Sequence, residues 1–238
     1  MGKLFKLINF IFKSDGSLIK TIFFNFHYFP FSNAIKFPII LSRNVRLKKT
    51  KGKIIINTLP IKTGMVHIGI KNYGFQLKHD YTIWEQNGGT VIFEDTIIIG
   101  KGTYISIGEN ATLKMDQKTC LGGNDKIICK ESIIIKANTH IAWDVQIIDT
   151  DFHATINLIT KGRNCEKKPI IICKINWLCF CSTILKGTIT PNNCIVAAKT
   201  VIKRDYSKEG ENIIIVEDDN VKVSIKNIKH DSSNWTIE

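Results

Sequence analysis

A six-residue period constrains this chain more than any other feature. Cys129, Ile135, Ile141 and Ile147 follow one another at steps of six, and after a break the step returns at Ile172, Leu178, Ile184, Thr190, Val196 and Ile202. Nine of these ten are apolar in a chain that is 44% hydrophobic, so composition alone does not produce the register. Four residues after members of the second run stand Asn176, Ser182, Thr188, Cys194 and Thr200, all small. A triangular coil needs this pattern: each flat side takes one hexad, the aliphatic residue points inward, a small residue fits the corner, and three hexads close a turn. Such a solenoid stacks Ile, Leu and Val on its axis and is stable only with several turns and capped ends. Sandwiches and barrels repeat at roughly 8 to 12 residues, with period-two alternation inside each strand, and fit less well. The expected fold class is an all-β solenoid, a parallel β-helix.

Three regions are expected. Residues 1–50 hold two apolar stretches with helical spacing, Leu4, Ile8, Ile11, Phe12 and then Leu18, Ile19, Ile22, Phe23, Phe26, each carrying lysines. They predict short amphipathic helices that cap the domain or lie on an anionic membrane surface. Residues 51–210 are dense in short Ile/Val runs broken by Gly, Asn and Lys and form the β-helix; 211–238 form a C-terminal tail. No apolar run reaches the roughly 18 residues of a membrane span, because Lys13, Asp15 and Lys20 interrupt the Phe- and Ile-rich start. Lys3 and Lys6 precede Leu7 to Phe12 as in a signal peptide, but no small-residue cleavage site follows, so a cytoplasmic or membrane-peripheral protein is expected.

Seven cysteines, an odd number, argue against a disulfide framework. Cys179-Phe180-Cys181 has no second Cys or Cys/His pair to complete four zinc ligands, and no metal is expected. The formal charge of +12 is compatible with nucleic acid, anionic membrane or a phosphorylated small molecule. Apart from Arg43 to Lys53 the basic residues are spread along the chain, and aromatics do not alternate with them as stacking platforms, so nucleic acid is not expected.

Two segments carry a family resemblance. NTHIAWDVQIIDTDFH, from Asn138 to His153, resembles the ISW-x-V-x-I-x-D-T-D-F-H signature of hexapeptide-repeat acyltransferases found with capsule, O-antigen and other polysaccharide pathways. The run from KPIIICKINW (Lys168 to Trp177) through TILKG (Thr183 to Gly187) to VIKRD (Val201 to Asp205) resembles the same family's later repeats. The resemblance implies a left-handed coil, a homotrimer, acetyl-CoA as co-substrate in a cleft between neighbouring coils, and an acetyl group passed to a hydroxyl of a sugar or polysaccharide precursor. It places His153 as the base, and the chemistry agrees: a sugar hydroxyl is a poor nucleophile until its proton is taken, and imidazole titrates near neutrality.

The same resemblance gives Asp149 and Asp151 the task of holding the imidazole tautomer or the acceptor. His140 is the competing histidine, with packing or acceptor contacts as its expected part. Trp143 falls on the acceptor side; Trp177, Phe180, Ala197 and Ala198 line the pantetheine arm; Lys203, Arg204 and Lys222 meet CoA phosphates. Ala154 to Lys167 break the period and are expected to project as a loop. Family glycines are replaced by Lys136, Cys173, Cys179, Pro191, Ala197 and Lys199, which predicts altered turns and a narrowed cleft. Two other readings stay open: a scaffold solenoid without catalysis, and a γ-class carbonic-anhydrase-like metalloenzyme needing three converging imidazoles.

Overall fold

The computed structural model describes residues 15–70, 76, 77 and 79–216, and the backbone of 225 and 226. The chain winds through β1 (Ile39–Leu41), β2 (Val45–Ile56), β3 (Val66–Ile68), β4 (Thr82–Phe93), β5 (Ile97–Ile99), β6 (Tyr104–Ile107), β7 (Thr112–Met115), β8 (Thr119–Gly123), β9 (Lys126–Cys129) and β10 (Ser132–Ile135). It continues through β11 (His140–Trp143), β12 (Gln146–Ile148), β13 (Ile170–Ile172), β14 (Trp177–Leu178), β15 (Thr183–Leu185), β16 (Cys194–Val196), β17 (Val201–Ile202), β18 (Ile213–Ile215) and β19 (Ile225–Lys226). Face one stacks β1, β3, β5, β8, β11, β14, β16 and β18 in parallel, with β19 antiparallel at its end. The twelve-residue strands β2 and β4 bend round a corner, so their first halves join β6, β9, β12, β15 and β17 as face two and their second halves join β7, β10 and β13 as face three. Gly52 lies at that bend with φ +126°, where a Cβ would stand 2.3 Å from the Gly89 carbonyl oxygen.

All ten residues of the hexad register are buried, and all five of the small corner residues with them. From Trp177 to Ile195 the register advances eighteen residues, three hexads to the turn. Earlier turns are longer: His67 pairs with Ile98 and Ile98 with Cys120, the surplus going into corners and excursions. The corners turn on left-handed residues, among them Asn110, Asn124, Asn138, Asp144, Ile175, Cys181, Asn193 and Lys199, with φ between 51° and 60°. Of the six positions where the family glycines are replaced, only Lys199 is among the left-handed residues, so the expected disturbance of the turns is confined to that one corner.

The parallel ladder starts at Ile39, ahead of residue 51, and β18 carries it past residue 210. The lysines that alternate along Val45–Ile56 made the first turn read as surface; they point outward while Val45 and Ile54 fill the axis. The helical stretch at Leu4–Phe12 lies outside the described residues. The second stretch is α1 (Leu18–Tyr28), capped by the Ser17 hydroxyl, and a short α2 (Phe31–Ala34) follows. Helix α1 caps the coil with the opposite face to the one its pattern predicts. Thr21, Phe24 and Asn25 are buried, whereas Ile19, Ile22, Phe23 and Phe26 are exposed. The physical reason is the open edge of β1, whose backbone groups need partners more than the axis needs another aliphatic layer. Asn25 donates to the Ile39 carbonyl (2.7 Å) and accepts from its amide (3.1 Å), and the Thr21 hydroxyl accepts from the Leu41 amide (3.1 Å).

Candidate functional site

The resemblance-derived residues fall at three places on the coil. The first is the corner between faces two and three, where β12 ends. Asp149 is wholly buried there and accepts from the Lys130 amide (2.6 Å) and the Glu131 amide (2.8 Å) of the preceding turn, one on each carboxylate oxygen. Among the described residues it therefore ties two turns of backbone together, and it makes no contact with the His153 imidazole. Thr150 accepts from the Phe152 amide (2.9 Å), Phe152 takes φ 61°, and the chain emerges at His153 with the ring exposed and without a hydrogen bond among the described residues.

After His153 the chain projects as a narrow excursion, bridged at Thr150–Lys167 and Ile156–Arg163, that carries exposed Ile156, Leu158 and Ile159. Asp151, the second expected neighbour, instead pairs with the Lys186 ammonium, while Asn164 donates to it at 3.4 Å. Lys186 was not singled out in the sequence, although it sits inside the quoted TILKG run. It rises from the next turn, with its side chain 18% exposed, and donates also to the Cys165 carbonyl. One ammonium therefore fastens both limbs of the excursion to the coil. A lysine directly before a glycine at a corner was the only signal, and it does not separate a clamp from a solvated charge.

The second place is the corner between faces one and two. Trp143 and Phe180 stack there with centroids 5.8 Å apart and planes 17° from parallel. The Cys181 amide donates to the Trp143 carbonyl (3.1 Å) and the Lys199 amide to the Phe180 carbonyl (3.1 Å), which sets Trp143, Phe180 and Ala198 on successive turns of one column. Ala197 follows the registered residue Val196, as Cys179 follows Leu178. Trp143, expected on the acceptor side, thus stands with the residues expected along the pantetheine arm. One turn before Trp143, Gly123 is covered by the Gln76 side chain, which donates to the Lys101 carbonyl (2.8 Å) and closes the column at that end. Beneath the corner, Asp125 accepts from the Val145 amide (2.9 Å) and the Gly123 amide (3.1 Å). Burial pushes its carboxyl well above the usual range despite those two donors.

His140 and Trp177 form the third group. They are register partners on face one, flanked by Cys120 and Ile195, half-buried and away from both corners. One three-residue strand, β12, separates the Trp143 corner from the His153 corner, about 10 Å of extended chain. A single chain therefore does not gather the expected catalytic and cofactor residues into one pocket.

Of the basic residues, Lys203 is exposed on the outward side of face two, beyond β17. Arg204 pairs with Glu209 at 3.0 Å and lays its guanidinium over the Tyr206 ring at 4.0 Å, so its charge is engaged within the chain and its expected phosphate role is not supported by its position. Lys222 lies outside the described residues. Burial pushes the thiol of Cys179 up to about 11 and that of Cys194 up to about 12, which keeps both protonated near neutrality and unsuited to covalent catalysis. Among the described residues no group of three or more His, Cys, Asp and Glu is placed to hold a metal ion.

These features define a parallel β-helix with an exposed histidine at a broken corner and an aromatic column at the next. Solved structures share that fold. The polySia-specific acetyltransferase NeuO aligns over 84% of this chain and 82% of its own, with 18% identity and a TM-score of 0.55, and the coil is a left-handed parallel β-helix of that kind. The polysialic acid O-acetyltransferase OatWY aligns over 79% and 87%, with 21% identity and a TM-score of 0.48. AntD, an N-acyltransferase from Bacillus cereus in complex with dTDP and coenzyme A, aligns over 80% and 82%, with 16% identity and a TM-score of 0.36. No protein-family model and no curated protein sequence matches the chain.

Proposed function

We propose that the chain is an O-acetyltransferase that moves the acetyl group of acetyl-CoA to a hydroxyl of a sugar or polysaccharide precursor, with His153 as the general base. The observation that carries this reading is the presentation of His153: an exposed imidazole, without a hydrogen-bond partner among the described residues, on a backbone fastened by Asp149 and Lys186, on the fold of a polysaccharide-modifying acetyltransferase. The imidazole takes the proton of the attacking hydroxyl as its oxygen adds to the thioester carbonyl. The tetrahedral adduct then collapses, the carbon–sulfur bond breaks, and the same proton passes to the departing sulfur, so His153 ends neutral.

The residues fit the donor at the other corner. Phe180, with Trp143 stacked on it, offers an apolar wall and Ala197 and Ala198 leave room for a narrow chain; Lys203, at the far end of face two, is the exposed cation for a phosphate. Because the two corners lie apart in one chain, the reading includes a homotrimer in which His153 of one copy faces the aromatic column of the next. It also carries a cytoplasmic location, where acetyl-CoA is made.

The test is acceptor-dependent release of free CoA thiol, with purified protein, acetyl-CoA and a panel of glycans that includes oligosialic acid, and mass spectrometry of the product. Co-assembly of His153→Ala with Phe180→Glu then examines the shared site. Two inactive chains mixed equally leave about a quarter of interfaces with both intact halves, so about a quarter of wild-type activity returns. No release of CoA with any acceptor overturns the enzyme reading. Release by wild type with no recovery in the mixture overturns the shared site.

A further inference from the structure

Helix α1 is an amphipathic helix mounted inside out. Its polar residues Thr21 and Asn25 are committed to the edge of β1, and Ile19, Ile22, Phe23 and Phe26, at helical positions i, i+3, i+4 and i+7, form an apolar stripe that faces away from the protein. The stripe continues into α2 and beyond: the Phe26 ring meets Phe31 at 5.9 Å and Phe37 at 6.2 Å, and Phe31 and Ile35 are 71% and 48% exposed. Six large apolar side chains at one end of the coil exceed what scattered surface residues explain.

The charge around the stripe is mostly positive. Residues 16–79 contain eleven Lys and Arg and no Asp or Glu, against 33 and 21 in the whole chain, so this stretch holds +11 of the net +12. Lys48, Lys49, Lys51 and Lys53 are exposed along β2, beside the helix. The junction is His27, whose ring stacks on Phe23 at 5.5 Å and whose Nε2 meets the Thr50 carbonyl at 2.8 Å, next to a depression lined also by Lys49, Lys51 and Asn87.

We infer that this end of the molecule is a docking surface for an anionic lipid bilayer: the stripe enters the boundary between headgroups and acyl chains, and the β2 lysines meet the headgroups. An apolar stripe rimmed mostly by cations, with Asp15 held by Arg43 at 4.0 Å and Glu85 in register with Lys49, is the chemistry such a surface selects. A second copy of this chain fits worse, because a symmetric contact would set like-charged faces against each other. The inference stands apart from the acetyl transfer, since none of these residues belongs to either corner of the site.

Flotation of the full chain with phosphatidylcholine vesicles, with and without phosphatidylglycerol, tests it. Wild type is expected to bind only the anionic vesicles and to lose most binding when salt rises from about 0.1 to 0.5 M. Phe23→Ser with Phe26→Ser, and separately Lys48, Lys49, Lys51 and Lys53→Gln, are each expected to lower binding about tenfold or more, with unchanged melting temperature and sedimentation coefficient. Four results overturn it. Two are failure of wild type to bind the anionic vesicles and equal binding to neutral ones. The others are binding untouched by the Phe substitutions, and a sedimentation coefficient lowered by them, which assigns the stripe to a second copy.

Discussion

Replacing Asp149 separates a structural clamp from a catalytic partner, because the two roles fail in different assays. The carboxylate is fully buried and satisfies two backbone amides of the previous turn, at 2.6 and 2.8 Å. Asp149→Ala removes both acceptors and leaves the Lys130 and Glu131 amides without partners inside the corner, at roughly 1–3 kcal/mol for each orphaned donor. The expected loss is about 2–6 kcal/mol, a melting temperature lower by roughly 4–24 °C for a chain of this size. Asp149→Asn keeps one acceptor but turns an amino group toward the other amide, and should lose about half as much. Urea denaturation followed by circular dichroism, beside acetyl transfer per folded molecule, reads both roles. If Asp149→Ala unfolds at the wild-type urea concentration while transfer drops a hundredfold, the carboxylate serves the imidazole and the clamp is wrong.

Lys203→Ala should raise the apparent KM for acetyl-CoA and leave kcat nearly unchanged, whereas Arg204→Ala should lower thermal stability and leave that KM alone; steady-state kinetics and a melt on each variant decide. Ile175 is a β-branched residue at φ 60°, so Ile175→Asn should raise stability by about 1 kcal/mol in urea denaturation, and a fall of that size would mean that its packing outweighs the strain. Hydrogen bonds from Asn57 and Lys114 hold the Glu94 carboxyl below its usual range. Its contribution is therefore present above the unfolded-state pKa and is lost as pH falls through the lower folded value. Lys114→Met should flatten that acid limb of the stability–pH curve, by about 1 kcal/mol or less for so partly exposed a pair.

The turns built to an eighteen-residue repeat were legible in the sequence because the axis accepts only inward aliphatics: Ile135, Ile141, Ile147, Leu178 and Ile184 are all buried as the hexad requires. The first turns were not, since excursions and bent twelve-residue strands hide the period, and outward lysines on β2 mask the inward Val45 and Ile54. Helix α1 was legible as a helix but not in its orientation. A hydrophobic pattern reports which face is apolar, not whether an open strand edge claims the polar one. At the site, the motif led to His153 but not to the partners of its neighbours. Asp149 and Asp151 differ by two positions, and the strand's end sends one side chain into a buried corner and the other toward Lys186. Arg204 and Lys203 are adjacent cations that only the fold distinguishes, by placing Glu209 and Tyr206 beside one of them.

The most direct test of the account is the turnover of His153→Ala, measured as acceptor-dependent CoA release at saturating acetyl-CoA, with acetyl-CoA affinity by calorimetry and the melting temperature as controls. Among the described residues the exposed imidazole supports no other part of the fold, so both controls should match wild type. The rate should fall by about 10² to 10⁴, the usual effect of removing a general base. Retention of more than about a tenth of wild-type turnover by a folded variant that still binds acetyl-CoA would contradict His153 as the base.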